Sequence, residues 1–169
     1  LLASIATADT VVFTINGGQS AGAFGTGANT HMSIFTAPAA RVTAVSWNLT
    51  SVAGGLSYGA EGVIALTGTD PTRALDVRPF ACDFVAGATS STQLQPVDVS
   101  AGPLAGPVVF TRLSNGIELR DGWLNLELME VFDDEGGGPE MVWNGTVTVH
   151  YQPNGFCAGQ CRLREGSGF

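Results

Sequence analysis

Between residues 41 and 52 apolar and polar side chains alternate: Val45, Trp47 and Leu49 fall on one side of an extended chain, Ala44, Ser46, Asn48 and Thr50 on the other. A period of two sends one face into a core and the other toward solvent, so this segment predicts a half-buried strand with Trp47 inward. The pattern returns twice near the end of the chain. Leu124, Leu126 and Leu128 alternate with Trp123, Asn125, Glu127 and Met129, and Trp143, Val147, Val149 and Tyr151 alternate with Asn144, Thr146, Thr148 and His150. Shorter β-branched or apolar runs predict strands at residues 10–15, 31–36 and 63–67, the first closed by the turn signal Asn16-Gly17-Gly18. Residues 79–85 predict a short edge piece. Residues 108–113 and 117–119 flank Ser114-Asn115-Gly116, a hairpin-type turn, because Asn-Gly tolerates positive φ at little cost. Residues 87–107 are rich in Ser, Thr, Gly and Pro and alternate weakly, at Leu94, Val97 and Val99, which predicts a long connection crossing between sheets. Helix competes poorly, since apolar faces at helical spacing are interrupted by Gly or Pro. The expected fold is all-β: a two-sheet antiparallel β-sandwich of jelly-roll or Greek-key type.

The two long strands near the end read as an antiparallel hairpin. Inward residues then pair with inward residues, Leu124 opposite Val149 and Leu126 opposite Val147. That register sets Trp123, Asn125 and Glu127 beside His150, Thr148 and Thr146 on the outer face. An aromatic ring among hydrogen-bonding side chains resembles a sugar-stacking platform, which makes Trp123, Asn125, Glu127 and His150 the candidate ligand-binding residues. Trp47 and Trp143 face inward and belong to the core.

Composition narrows the partners. The 169 residues suit one domain, and 44% hydrophobic residues with 23 glycines and 13% charged residues favour short strands joined by tight turns. All seven basic residues are arginine, and fifteen carboxylates bring the net charge to -8. Such a surface repels phosphate backbones and anionic lipid, which leaves cations, neutral glycans and other proteins. No run approaches the roughly eighteen apolar residues of a membrane helix, so no membrane insertion is expected. Residues 1–8, LLASIATA, resemble the end of a signal peptide with a small-x-small cleavage site, which would start the mature chain at Asp9. The sandwich is then expected over residues 9–152, followed by a polar, glycine-rich tail at 153–169.

Between the last two strands lies VFDDEGGGPE, residues 131–140, which gathers Asp133, Asp134, Glu135 and Glu140 around three glycines, with Glu130 at the preceding strand end. Calcium seeks several carboxylate and carbonyl oxygens from a loop able to curl, so these five are the candidate metal ligands, although EF-hand spacing is absent. The cysteines are Cys82, Cys157 and Cys161. Cys157 and Cys161 form a C-x3-C pair able to close a local disulfide in an oxidising compartment, and a bridge from Cys82 to either is equally open. His31 and His150 do not stand at zinc spacing from them. Catalytic signatures are absent: there is no G-x-S-x-G, no H-E-x-x-H and no phosphate-binding loop. Glu127 and Glu130, three residues apart on a strand, point to opposite faces and cannot flank one glycosidic bond. No catalytic residue is expected.

VTAVSWNLTSVAGGLSYGAEGVIALT at residues 42–67, together with DGWLNLELMEVFDDEGGGPEMVWNGTVTVHY at residues 121–151, resembles exported bacterial β-sandwich proteins of the PEP-CTERM sorting class. Their sandwich in turn resembles the P domain of proprotein convertases. The resemblance covers about half of the chain and implies a jelly-roll-like fold and a secreted, cell-surface or matrix location. The Pro-Glu-Pro, apolar helix and basic tail that define the sorting signal do not occur in these residues. The expected function is a noncatalytic extracellular binding or adhesion module, calcium-stabilised, for glycans or surface polymers. The alternative is a structural subunit of a filament or surface layer, self-assembling as residues 10–15 complete a neighbour's sheet. A hydrolase has the least support.

Overall fold

Two antiparallel sheets face each other in the computed structural model, which describes residues 8–99, 109–111, 117–132 and 138–153. The strands are β1 (Asp9–Ser20), β2 (His31–Phe35), β3 (Ala40–Ala53), β4 (Gly62–Thr67), β5 (Ala74–Val77), β6 (Thr89–Asp98), β7 (Val109–Thr111), β8 (Glu118–Leu119), β9 (Trp123–Glu130) and β10 (Met141–Gln152). One sheet runs β1-β10-β3-β6, with β8 also paired to β3, and the other runs β2-β9-β4-β5-β7. Among the described residues there is no α-helix, and a single 3-10 turn, Gly59–Glu61, leads into β4. The expected all-β sandwich is the observed fold.

The alternating pattern builds the core directly. Phe13, Ile15, Val45, Leu49, Trp143, Val147 and Val149 project from one sheet and meet Ile64, Leu66, Leu75, Leu124, Leu126 and Leu128 from the other, all buried. Trp47 and Trp143 point inward as expected, the latter against the ring of Phe80. Each fully buried aliphatic side chain contributes about 1.5–3 kcal/mol, so the three leucines of β9 anchor their sheet.

Three expectations about connectivity are corrected. β9 and β10 are not a hairpin: Leu124 pairs with Ile34 of β2, while Val149 pairs with Val11 and Val45. Alternation dictates which face turns inward but not which strand lies alongside, and here the two inward faces oppose one another across the core. β7 and β8 likewise lie in different sheets and do not pair with each other; the expected turn at residues 114–116 lies outside the described residues. Residues 89–98, expected as connection, form edge strand β6, with a register shift opposite Val45/Trp47 and Pro96 beside it, a residue that edges and bulges accommodate. Residues 79–85 hold turns and no strand, and β5 had no counterpart in the reading of the sequence.

The first strand is longer than its turn signal suggested. Gly17 adopts φ 68°, and the chain passes through Asn16-Gly17-Gly18 as a bulge and continues to Ser20. β1 pairs with β10 from Asp9 to Ser20, so the segment considered as a donor for a neighbour's sheet is already occupied within its own.

Candidate functional site

The antiparallel pairing of β2 with β9 places three outward residue pairs in register: Phe35 with Trp123, Ser33 with Asn125, and His31 with Glu127. Met32 and Ile34 pack inward against the core, which turns the alternate residues of β2 outward beside those of β9. Successive outward pairs lie about 6.8 Å apart, so the three make a strip about 14 Å long.

At one end the rings of Phe35 and Trp123 meet edge to face, centroids 5.4 Å apart and planes at 72°. They are 50% and 47% exposed, which is unusual for two adjoining large aromatics. Their backbone is held from several directions. Asp121 Oδ1 accepts from the Trp123 amide at 3.2 Å and from the Thr69 hydroxyl at 2.8 Å. The Thr69 hydroxyl bond is the chief reason the Asp121 carboxyl lies below the usual carboxylate range, with the Trp123 amide adding to it. Thr36 donates from its amide and its hydroxyl to the Gly122 carbonyl, which ties the end of β2 to the start of β9. Gly122 has φ 83°, and a Cβ there would stand 2.7 Å from the Phe35 ring.

The middle pair is polar. Ser33 Oγ donates to Asn125 Oδ1 at 2.6 Å, which leaves the Asn125 amide donors for another acceptor. A shallow depression of about 160 Å³ runs beside it, lined by His31, Ser33, Asn125 and Thr67 among others. Enclosed ligand pockets begin at about 300 Å³, so this strip suits a ligand laid across it rather than swallowed by it.

Glu127 has a different task from the one its position in the sequence suggested. Its Oε1 accepts from the Gly25 amide and from Asn29 Nδ2, both at 2.7 Å, and its Oε2 lies 3.6 Å from His31 Nδ1. Asn29 also donates to the carbonyls of Gly22 and Ala23 and accepts from the Ala21 amide. Together they fasten residues 21–29 over the outer side of this sheet, where Phe24 packs on Val63, Ala65 and Met129. Only 5% exposed, Glu127 positions the strip's border more than it meets solvent.

His150 is not part of this strip. It lies on β10, on the outer face of the opposite sheet, because the hairpin that would have joined it to Trp123 does not form. Phe35, Ser33 and His31 take its place; their alternation was legible in HMSIF, but nothing local to β2 names β9 as its neighbour.

The expected calcium ligands divide. Asp133, Asp134 and Glu135 lie outside the described residues. Glu130 and Glu140 are 1% and 0% exposed at one end of the core. Glu130 Oε1 accepts from Ser20 Oγ at 2.5 Å, Ser20 Oγ accepts from Trp143 Nε1 at 2.9 Å, and Glu140 Oε2 accepts from Ser57 Oγ at 3.2 Å. Burial, then a hydrogen bond shared with Glu140 and the negative charge of Glu140 and Glu61, push the Glu130 carboxyl up to about 8, against a lowering by Ser20. Burial thus favours the neutral form of the Glu130 carboxyl. Among the described residues no three His, Cys, Asp or Glu side chains meet as a metal centre. Cys82 is exposed and unbridged, and Cys157 and Cys161 lie outside the described residues.

Comparison with family models, curated proteins and solved structures finds no match.

Proposed function

We propose that this domain is a noncatalytic binding module of an exported bacterial protein, and that it takes neutral glycan chains across the outer face of β2 and β9. The half-exposed Phe35–Trp123 pair carries the reading. An aromatic face offers apolar area at low entropic cost to the C–H face of a sugar ring, and Asn125 and Ser33, one strand step away, offer donors and acceptors to its hydroxyls. The strip is open and elongated, which suits a segment of polymer better than a small molecule. The net charge of -8 favours uncharged chains over acidic ones. Resemblance to exported sandwich proteins agrees with a ligand met outside the cell.

Native electrophoresis through gels containing soluble mixed-linkage β-glucan, xyloglucan or galactomannan tests this. At least one neutral polymer is expected to retard the chain, polygalacturonate is not, and Trp123→Ala is expected to weaken the retardation severalfold at unchanged melting temperature. Migration unaffected by all three neutral polymers would refute the proposal.

A further inference from the structure

The opposite sheet turns a second surface outward, and it differs in kind. The registers of β1, β10, β3 and β6 align side chains in rows across four strands: Thr14, Thr146, Asn48 and Gln93 form one row. Asn16, Asn144, Thr50 and Ser91 form the next. Val12, Thr148 and Ser46 continue the array on the other side. All of these residues are exposed or half-buried. None is ionisable, although the chain holds seven basic and fifteen acidic residues. With strands about 4.8 Å apart and rows about 6.8 Å apart, the result is an uncharged lattice of hydroxyls and carboxamides about 14 Å wide, with the exposed side chain of Val12 at one edge.

That chemistry selects among partners. A phosphate backbone needs cations, and the rows contain none. Protein interfaces draw their energy from buried Trp, Tyr, Phe, Met and Arg anchors, and the rows contain none of those either. Hydroxyls donate and accept, and carboxamides present both kinds of group, as do the hydroxyls of an uncharged polysaccharide. The row of Thr10, His150, Ala44 and Asp98 bounds the array, and there His150 Nε2 is buried without a hydrogen-bond partner among the described residues. Beside it lies a depression of about 310 Å³ whose lining includes Ser46, Asn48, Gln93, Thr146 and Thr148.

We infer that this face holds a second neutral polysaccharide chain, so that one domain, binding on opposite sides of its sandwich, cross-links two polymer chains. The inference rests on the glycan reading of the β2–β9 strip. Two sites facing apart cannot share one short segment, and linking separate chains turns weak contacts into a network through avidity.

The test combines gel retardation with low-shear viscosity, using the retarding neutral polymer and protein shown to be monomeric by sedimentation. The wild type is expected to be retarded and to raise viscosity severalfold. Thr14→Glu/Asn48→Glu, two exposed positions flanking Thr146, is expected to keep most of the retardation and lose the viscosity rise. Trp123→Ala is expected to retain weaker retardation and also lose the rise, and the combined variant to lose both. A rise undiminished by Thr14→Glu/Asn48→Glu would overturn the inference, as would Trp123→Ala abolishing retardation altogether, while the β2–β9 proposal would stand. Trp123→Ala behaving as wild type would instead overturn that proposal and, with it, the cross-linking. Circular dichroism and melting temperature confirm that each variant folds.

Discussion

Phe35 packs its ring into the space that a side chain at residue 122 would fill. A Cβ on Gly122 would lie 2.7 Å from Phe35 Cε2, and the backbone there has φ 83°. Gly122→Ala thus meets strain and a clash together, and is expected to destabilise the fold by about 1–3 kcal/mol. It also pushes Phe35 off Trp123. Urea denaturation would measure the first effect and polysaccharide retardation the second; unchanged values in both would show that the aromatic pair does not depend on this glycine.

Glu130 gives the fold a pH dependence of defined sign. Its carboxyl rises from an ordinary value of 4.5 to about 8 in the folded protein, so the folded state holds the proton more tightly than the unfolded chain. The stability it contributes is complete below about 4.5 and is lost as pH rises through about 8. Melting temperature is therefore expected to fall between pH 5 and pH 9, and to fall less in Glu130→Gln, whose neutral amide can keep a donor toward Glu140. A variant that tracks the wild type across that range would show that Glu130 is not the group responsible.

Glu127→Ala separates support from contact. The change leaves the Gly25 amide without its acceptor and takes from Asn29 Nδ2 one of its three, the carbonyls of Gly22 and Ala23 remaining. An expected loss of about 1–3 kcal/mol should accompany faster amide hydrogen exchange at Gly25, with glycan retardation little altered. Intact stability with abolished retardation would make Glu127 a ligand contact instead.

The inward residues were legible because a period of two needs only one strand to be read: Trp47, Trp143 and the three leucines of β9 all face the core as the alternation requires. Neighbour relations were not legible. Trp123 and His150 looked adjacent because β9 and β10 follow one another in the chain, yet the two strands lie in different sheets and their outward side chains on opposite sides of the sandwich. Trp123 and Asn125 keep their place in the candidate site, while Phe35 and Ser33 enter it through a pairing some ninety residues long in sequence. The buried Glu130–Glu140 pair shows the same limit. Acidic residues beside a glycine-rich loop suggested calcium, and nothing in that pattern showed that Glu130 and Glu140 are buried at the end of the core; Asp133, Asp134 and Glu135 lie outside the described residues.

Of the three tryptophans only Trp123 is open to solvent, at 47% exposed against 4% for Trp47 and 0% for Trp143. Acrylamide quenching of tryptophan fluorescence therefore reports on Trp123 almost alone. Titration with a neutral polysaccharide that retards the chain is expected to protect this fluorescence from quenching, to the same extent in Thr14→Glu/Asn48→Glu as in the wild type. Quenching that stays undiminished at polymer concentrations sufficient for retardation would contradict glycan binding at the Phe35–Trp123 face.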